Sequence, residues 1–279
     1  MKRFIETLQN IWKIEDLRKR LITTILFVLV YRFGSYIVLP GINPANLEAL
    51  QNQTSGGLLG LLDMFSGGAF SHASIFALGI MPYISASIVV QLLGIAVPYF
   101  QKMQREGESG RKKMNQITRY LTVLILLFQS PAYLVNLSVQ LGHVGASLPQ
   151  SFWFQVTSVI ILTAGSMFIM WLGERITDKG IGNGISFIIM IGIIARFPTA
   201  IVQEFASRLG DAAGGLVMFI GEIVCLLFVI GLCILLVQGT RKVPVQYAKR
   251  VVGNKQYGGV RQYIPLKVNA ANVMPIIFA

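Results

Sequence analysis

The stretch FWFQVTSVIILTAGSMFIMWLG, residues Phe152–Gly173, decides the class of fold. It contains no Asp, Glu, Lys or Arg, and it is long enough as a helix to cross the hydrocarbon core of a bilayer, which takes about 20 residues. Five other stretches are comparably long and apolar: Leu21–Pro40, Ser74–Phe100, Tyr120–Leu141, Ile181–Ala200 and Leu216–Gln238. We therefore predict a membrane protein with six transmembrane helices.

The composition of the whole chain supports this prediction. Of the 279 residues, 54% are hydrophobic and 13% are charged, and the mean hydropathy is +0.64. An ordinary soluble domain is about 25% charged, so a water-soluble globular protein is excluded. The high apolar content also excludes an intrinsically disordered chain, and the 2 cysteines are too few for a disulfide scaffold.

Basic residues are distributed unevenly between the two sides of the predicted helices. Of the 24 Lys and Arg residues, all but Arg32, Arg196 and Arg208 precede the first span or lie in connections on that same side. Because Lys and Arg are concentrated on the cytoplasmic side of membrane proteins, we predict a cytoplasmic amino terminus. We expect Arg32 and Arg196 to extend their long side chains to the outer interface. Glu222, near the outer end of the sixth span, has no predicted role.

Groups of residues that could carry out catalysis are not evident in the sequence. The two histidines, His72 and His143, have no nearby set of Cys, Asp or Glu at metal-ligand spacing. The GIGNG sequence of residues 180–184 has no strand before it, so we interpret it as the flexible start of a membrane helix and not as a phosphate site. We predict a protein that is not an enzyme and has no cofactor.

Residues 55–70, SGGLLGLLDMFSGGAF, are apolar but too short to span a bilayer, and we call them the outer segment. Large apolar side chains fill about two helical turns between glycine pairs. So much apolar surface should not face water, so the segment should tuck into the protein or the interface, and the glycines would let it move as a unit. A re-entrant or packing element and a movable gate are both compatible with these residues.

Two predicted helices begin with the same spacing of isoleucines. Ile80 and Ile84 are four residues apart, as are Ile185 and Ile189, so each pair lies on one face of its helix. The spacing alone favours packing residues.

Two connections on the predicted cytoplasmic side are strongly charged. One is QKMQREGESGRKK, residues 101–113, and the other is Thr240–Lys267, in which basic residues and tyrosines occur without any acidic residue. The second is either a solvated or lipid-facing loop, or a docking surface for a large anionic partner such as ribosomal RNA or an acidic protein face. Lys267–Ala279 then begins another apolar helix, so we expect the chain to be the front part of a longer protein.

Several stretches together resemble one family. They are FSGGAFSHASIFALGIMPYISASIVVQLL, EGESGRKK, MWLGERITDKGIGNGISF, and YAKR with PLKVNAANVMPIIFA. These sequences are similar to the SecY family, the pore subunits of bacterial preprotein translocases. The resemblance implies an all-α, polytopic fold of ten spans in two inverted halves of five, of which this chain would hold the first six and the start of the seventh.

The resemblance also implies a division of the chain and a role for each region. A cytoplasmic interfacial segment, 1–20, would precede the first half of the channel, 21–205. The start of the second half, 214–279, would contain the sixth span, the basic loop 239–267 and part of the seventh span. The second span would form one side of a lateral gate to the bilayer.

Three sets of site residues follow from the resemblance. A plug over about residues 56–70 would include Gly57, Leu58, Leu61, Leu62, Met64 and Phe65. A pore ring would consist of Ile80, Ile84, Ile185, Ile189 and Ile277. A docking loop for partners would use Arg241, Lys242, Lys249, Arg250 and Lys255, with Asn254 where a basic residue is expected.

The function implied is a passive, gated channel for unfolded polypeptides in the bacterial cytoplasmic (inner) membrane. Its partners would be the SecE and SecG subunits, the SecA ATPase or the ribosome, secretory preproteins with their signal sequences, and membrane lipids. A secondary transporter for a small solute is the alternative, although such proteins place ionisable or polar groups near the membrane midplane. A ribosome receptor without a pore would need the basic loop but not the plug.

Overall fold

The computed structural model describes residues 12–43, 63, 66–143, 148–149, 151–209, 215–246, 250–252, 255–257 and 261–269. Within these residues the chain is mainly helical. The helices are α1 (Glu15–Ser35), α2 (Met81–Ala96), α3 (Pro98–Arg105), α4 (Glu108–His143), α5 (Phe152–Lys179), α6 (Gly184–Ala195), α7 (Phe197–Leu209) and α8 (Gly215–Gln238). The strands are β1 (Thr240–Gln246), β2 (Arg250–Val252), β3 (Lys255–Tyr257) and β4 (Arg261–Lys267). Contacts between residues divide the chain into two compact units, residues 1–199 and 200–279.

Four of the described helical segments are long and apolar enough to cross a membrane. They are Glu108–Gly142, Phe152–Lys179, Gly184–Leu209 and Gly215–Gln238. A fifth is obtained if α2 and α3, which meet at 98°, are counted as one broken span. The described part of the chain therefore has the character of a multi-spanning membrane protein, with four or five such segments where six spans were predicted.

The predicted first span, Leu21–Pro40, differs from the helix that forms. α1 begins earlier, at Glu15, and ends at Ser35. Its first turns contain charged residues, and the Lys19–Glu15 pair, at 2.8 Å, stabilises them from one turn to the next. The uncharged stretch of α1 is Leu21–Tyr31, since Arg20 precedes it and Arg32 follows it, and it is shorter than the ~20 residues needed to cross a bilayer.

The predicted second span, Ser74–Phe100, is wrong in its first part. Residues 75–80 form turns, and α2 begins at Met81 with Pro82 in its first turn, where the missing N–H group costs no hydrogen bond. At the other end Val97 is extended, as residues before proline tend to be, and this residue separates α2 from α3.

In the first unit, α5 packs against α1, α4 and α6, and α2 packs against α4. One cluster of buried apolar side chains includes Leu126, Leu137 and Leu162. A second cluster includes Ile169 and Ile188, and it joins α5 and α6 to the region before α2. This second cluster contains the candidate site.

The second unit combines an apolar helix with a basic ribbon. The most apolar window of α8 has no buried residue, so lipid or another protein chain must cover this helix. β1 pairs antiparallel with β4, with Thr240 opposite Lys267 and Gln246 opposite Arg261, and β2 pairs antiparallel with β3. The predicted basic loop therefore contains strands, and the described chain is not purely α-helical.

Candidate functional site

Residues 66–80 fold against the end of α1 as a series of turns, and nearly all of them are buried. An antiparallel bridge joins Val38 to Ser74, the Leu39 N–H group donates to the Ala73 carbonyl oxygen at 2.9 Å, and the Ile75 N–H group donates to Ile37 at 3.0 Å. Ala73 has a φ of 44°, and this unusual backbone belongs to the tight turns. These backbone contacts fix the end of the outer segment in the protein and explain why residues 75–80 are not helical.

Asp63 is a buried carboxylate at the centre of this region. Its residue is only 2% exposed. One carboxylate oxygen, Oδ2, lies 2.5 Å from the Arg196 guanidinium, and the other, Oδ1, accepts a hydrogen bond from the Ser71 N–H group at 2.8 Å. A buried charge requires such partners, because an unpaired carboxylate would lose its hydration without compensation.

Side chains of α1 also reach the outer segment. Arg32 donates from Nη1 to the Gly67 carbonyl oxygen at 3.1 Å, and the Tyr31 hydroxyl donates to the Ser66 carbonyl oxygen at 3.2 Å. Arg32 and Arg196 were expected to extend to the outer interface. In the structure both direct their guanidinium groups to the end of the outer segment, and the Arg196 side chain is 42% exposed.

Gly67 brings this segment against α6. Its φ is +66°, and a Cβ atom at this position would lie 2.9 Å from the Cα atom of Gly192 on α6. The lack of a side chain at Gly67 therefore allows the two backbones to approach closely.

Four of the five predicted ring residues come together in one apolar cluster. Ile80 is buried, at the start of α2, and Ile84, Ile185 and Ile189 are half-buried and pack against the same cluster. Ala69, from the outer segment, belongs to this cluster too. Of the other predicted residues, the following lie outside the described residues: Ile277, Gly57, Leu58, Leu61, Leu62, Met64 and Phe65.

The turn before α6, which we interpreted as a flexible start and not as a phosphate site, forms a hydrogen-bonded cap. The Asn183 side chain accepts hydrogen bonds from the N–H groups of Ile185 and Ser186, as an N-cap residue does. The Gly184 N–H group donates to Thr177 Oγ1 at 2.9 Å. This turn orients α6, and with it Ile185, against α5.

The predicted docking residues are distributed over the two strand pairs. Arg241 and Lys242 are exposed on β1. Arg250 opens β2 and Lys255 opens β3, in strands that pair antiparallel. Lys249 lies outside the described residues.

Sequence reasoning missed the ion pairs that join distant residues or helices on the predicted outer side. Asp63 pairs with Arg196, and Glu222, which had no predicted role, lies 2.7 Å from Arg208. A signal was present, because each of these charged residues interrupts or borders an apolar stretch. Isolated charges of opposite sign in such stretches tend to pair with one another.

Comparison with known proteins identifies the family. A sequence model of the SecY family matches residues 74–279. The protein translocase subunit SecY of Streptomyces galbus is 44% identical over 272 residues, covering 95% of this chain and 62% of that protein. The corresponding subunit of Pseudomonas aeruginosa is 45% identical over 267 residues, covering 95% of this chain and 59% of that protein. The chain belongs to the SecY family.

Solved structures support the same fold. A protein-conducting channel superimposes with a TM-score of 0.54 at 17% identity, covering 93% of this chain and 55% of that chain. A SecY protein whose plug domain stabilises the closed state superimposes with a TM-score of 0.52 at 19% identity, covering 93% and 54%. The family model and the sequence relatives confirm the SecY resemblance, and the chain spans about three fifths of the length of the Streptomyces galbus and Pseudomonas aeruginosa subunits.

Proposed function

We propose that this chain forms part of a protein-conducting channel, which passes unfolded preproteins across the membrane and releases membrane segments sideways into it. The observation that supports this function best is the assembly of Ile80, Ile84, Ile185 and Ile189, from two separate helices, into one cluster. Family membership and the shared fold of a protein-conducting channel support it as well.

An aliphatic ring has physical properties that suit such a channel. It contacts any extended side chain weakly, because dispersion and burial do not require particular partners. When the channel is empty, a narrow ring of isoleucines resists wetting and limits the leak of ions. Ile277 would complete this ring.

A solute transporter is a weaker candidate. The four described ring positions, Ile80, Ile84, Ile185 and Ile189, are all aliphatic. A site for a small solute and a coupling ion would need ionisable or polar groups in this position.

The outer segment is the proposed plug, over about residues 56–70. Its described end supports this role, since Ala69 packs in the same cluster as Ile80 and residues 66–70 are buried. In the closed state the segment would block the outer side of the ring, and its displacement would open the path.

The basic strands are the proposed docking surface for SecA or the ribosome. Arg241 and Lys242 are exposed on β1, and Lys249, Arg250 and Lys255 would extend this surface. SecE and SecG would be the permanent partners, and signal sequences would leave past α2 into the lipid. We place the protein in the bacterial inner membrane with a cytoplasmic amino terminus, as the distribution of basic residues predicts.

Ion conductance tests the channel and its plug together. The full-length protein, reconstituted with its partner subunits in proteoliposomes, should conduct little without a precursor. Deletion of residues 57–62 should raise the resting conductance, because the ring would lose its cover. An unchanged conductance would favour a receptor without a pore, whereas uptake of a small solute coupled to an ion gradient would favour a transporter.

A further inference from the structure

Two charges of opposite sign meet where the outer segment touches α6. Asp63 lies within the apolar run of the outer segment, and Arg196 lies at the break between α6 and α7. Neither charge belongs to the isoleucine cluster, and the proposed passage of polypeptide does not use them. Their pairing is therefore a feature that still requires an explanation.

The pair is a built site with more than one contact. Besides its 2.5 Å contact with Asp63, Arg196 donates from Nη2 to the Ser71 hydroxyl at 3.0 Å. The Asp63 carboxylate accepts from the Ser71 N–H group, and the Asp63 carbonyl oxygen accepts from the Gly68 N–H group at 2.9 Å. The guanidinium thus binds both the carboxylate and the turn that the carboxylate organises.

The two partners are buried to different extents, and this difference determines which of them moves more readily when the pair separates. The Asp63 side chain is 3% exposed and that of Arg196 is 42% exposed. Arg196 could keep much of its hydration without its partner, whereas Asp63 would remain a buried, uncompensated charge. Separation of the pair therefore favours movement of the outer segment more than movement of α6.

The position of Arg196 connects this pair to the proposed ring. Arg196 follows Gly192 by four residues and Ile189 by seven, and positions at these intervals lie on about the same face of a helix. Gly192 is the residue that Gly67 approaches. One side of α6 therefore presents, in order, a ring isoleucine, a glycine contact for the outer segment and the arginine.

We propose that Asp63 and Arg196 form an ionic anchor that holds the end of the plug on α6 in the closed channel. This inference rests on the proposed function, since it assigns the residues that keep the plug in place. Arg32 assists from α1 through its hydrogen bond to Gly67. Opening then requires the Asp63 carboxylate to leave its partner and reach water.

The anchor predicts an order of resting ion conductance among variants of the full-length, reconstituted channel. Arg196→Gln should raise the conductance most, because it leaves the Asp63 charge buried without a cation. A hydrogen bond to a charged group contributes roughly a tenfold factor or more, which would raise an open fraction of about 1% to about 10%. Asp63→Asn should raise it less, because an amide still accepts from the Ser71 N–H group.

The double variant Asp63→Asn with Arg196→Gln makes the test specific. Both partners are then neutral amides, so the conductance should fall below that of Arg196→Gln alone. Arg208→Gln is the matched control, because it removes the cation that pairs with Glu204 and Glu222, two carboxylates that are far more exposed than Asp63. This control should conduct like the unmodified channel.

The outcomes separate failure of the anchor from failure of the channel. If deletion of residues 57–62 raises the conductance but Arg196→Gln and Asp63→Asn do not, the proposed anchor is refuted. The proposed plug is still supported in that case. If the deletion also has no effect, the proposed function fails. If Arg196→Gln does not accumulate in the membrane, the near-isosteric variant Asp63→Asn replaces it in the test. A resting conductance of Asp63→Asn equal to that of the Arg208→Gln control then refutes the anchor.

Discussion

Substitution of Gly184 by alanine should destabilise the contact between α5 and α6. A Cβ atom at this position would meet the Gly173 carbonyl oxygen of α5, and it would lie 2.6 Å from the Ile176 Cβ atom and 2.9 Å from the Thr177 nitrogen. Ordinary contacts begin near 3.4 Å, so α6 would have to move away by about 0.8 Å or more. The neighbours are largely backbone atoms, which cannot turn aside as a flexible side chain could.

The magnitude follows from two effects. Overpacking of a close contact costs about 1–3 kcal/mol. The same movement would stretch the 2.9 Å hydrogen bond from the Gly184 N–H group to Thr177 Oγ1, whose loss costs about 1 kcal/mol. We therefore expect a loss of about 2–4 kcal/mol of stability in Gly184→Ala.

Thermal denaturation of the purified full-length protein in detergent measures this effect. Gly231→Ala on α8 is the matched control, because nothing lies within 4 Å of the added methyl group and alanine favours the helix by about 1 kcal/mol. Gly184→Ala should denature several degrees below the unmodified protein, and Gly231→Ala should not. Equal midpoints for the two variants would refute the close packing of α5 and α6 at this turn.

Two further predictions concern charged residues at the predicted cytoplasmic side. Arg119→Gln should lower the stability by up to about 1 kcal/mol, because Arg119 makes a bidentate but half-exposed contact with Glu174, at 2.6 and 3.2 Å. Lys112→Gln should leave the stability nearly unchanged, because its pair with Glu108 is exposed to solvent. Denaturant titration of the two variants checks this, and equal losses would contradict it. Lys242→Glu should weaken the binding of SecA or the ribosome several-fold at low salt and less at high salt. Lys179→Glu, at another exposed lysine, should have little effect on this binding. Co-sedimentation with proteoliposomes measures both variants, and equal effects would argue against docking on β1.

The sequence predicts best those helices that form along a whole apolar stretch, without a contact from another part of the chain that ends them early. The span predicted over Phe152–Gly173 corresponds to α5, which starts at the predicted residue and continues to Lys179. The continuation is polar and charged, so hydropathy cannot detect it. The predicted sixth span, Leu216–Gln238, agrees with α8 to within one residue.

Tertiary contacts explain the elements that were not predicted. Residues 74–80 are apolar enough for a helix, but the backbone of residues 73–75 pairs with residues 37–39, far away in sequence. The strands β1 and β4 each contain a proline, Pro244 and Pro265, which normally argues against strands. In a ribbon of only two strands, each strand has one edge without a partner strand, and the N–H group that proline lacks is not required along that edge.

The candidate site was predictable in part for a physical reason. Isoleucines four residues apart must share a helix face, so Ile80 and Ile84, and likewise Ile185 and Ile189, were paired by local geometry. The family resemblance, and not local geometry, predicted that the two pairs meet in one cluster. The Asp63–Arg196 pair joins residues that are distant in the chain, and no local pattern connects them.

The central claim is that a translocating polypeptide passes the isoleucine cluster. A photo-crosslinking amino acid at position 84 of the full-length protein, with a secretory precursor arrested partway through export, tests this directly. Position 160 on α5, where Ile160 is 62% exposed, is the matched control. We expect crosslinks to the precursor from position 84 and none from position 160. Crosslinks from position 242 on β1 without any from position 84 would contradict the channel and favour a docking receptor.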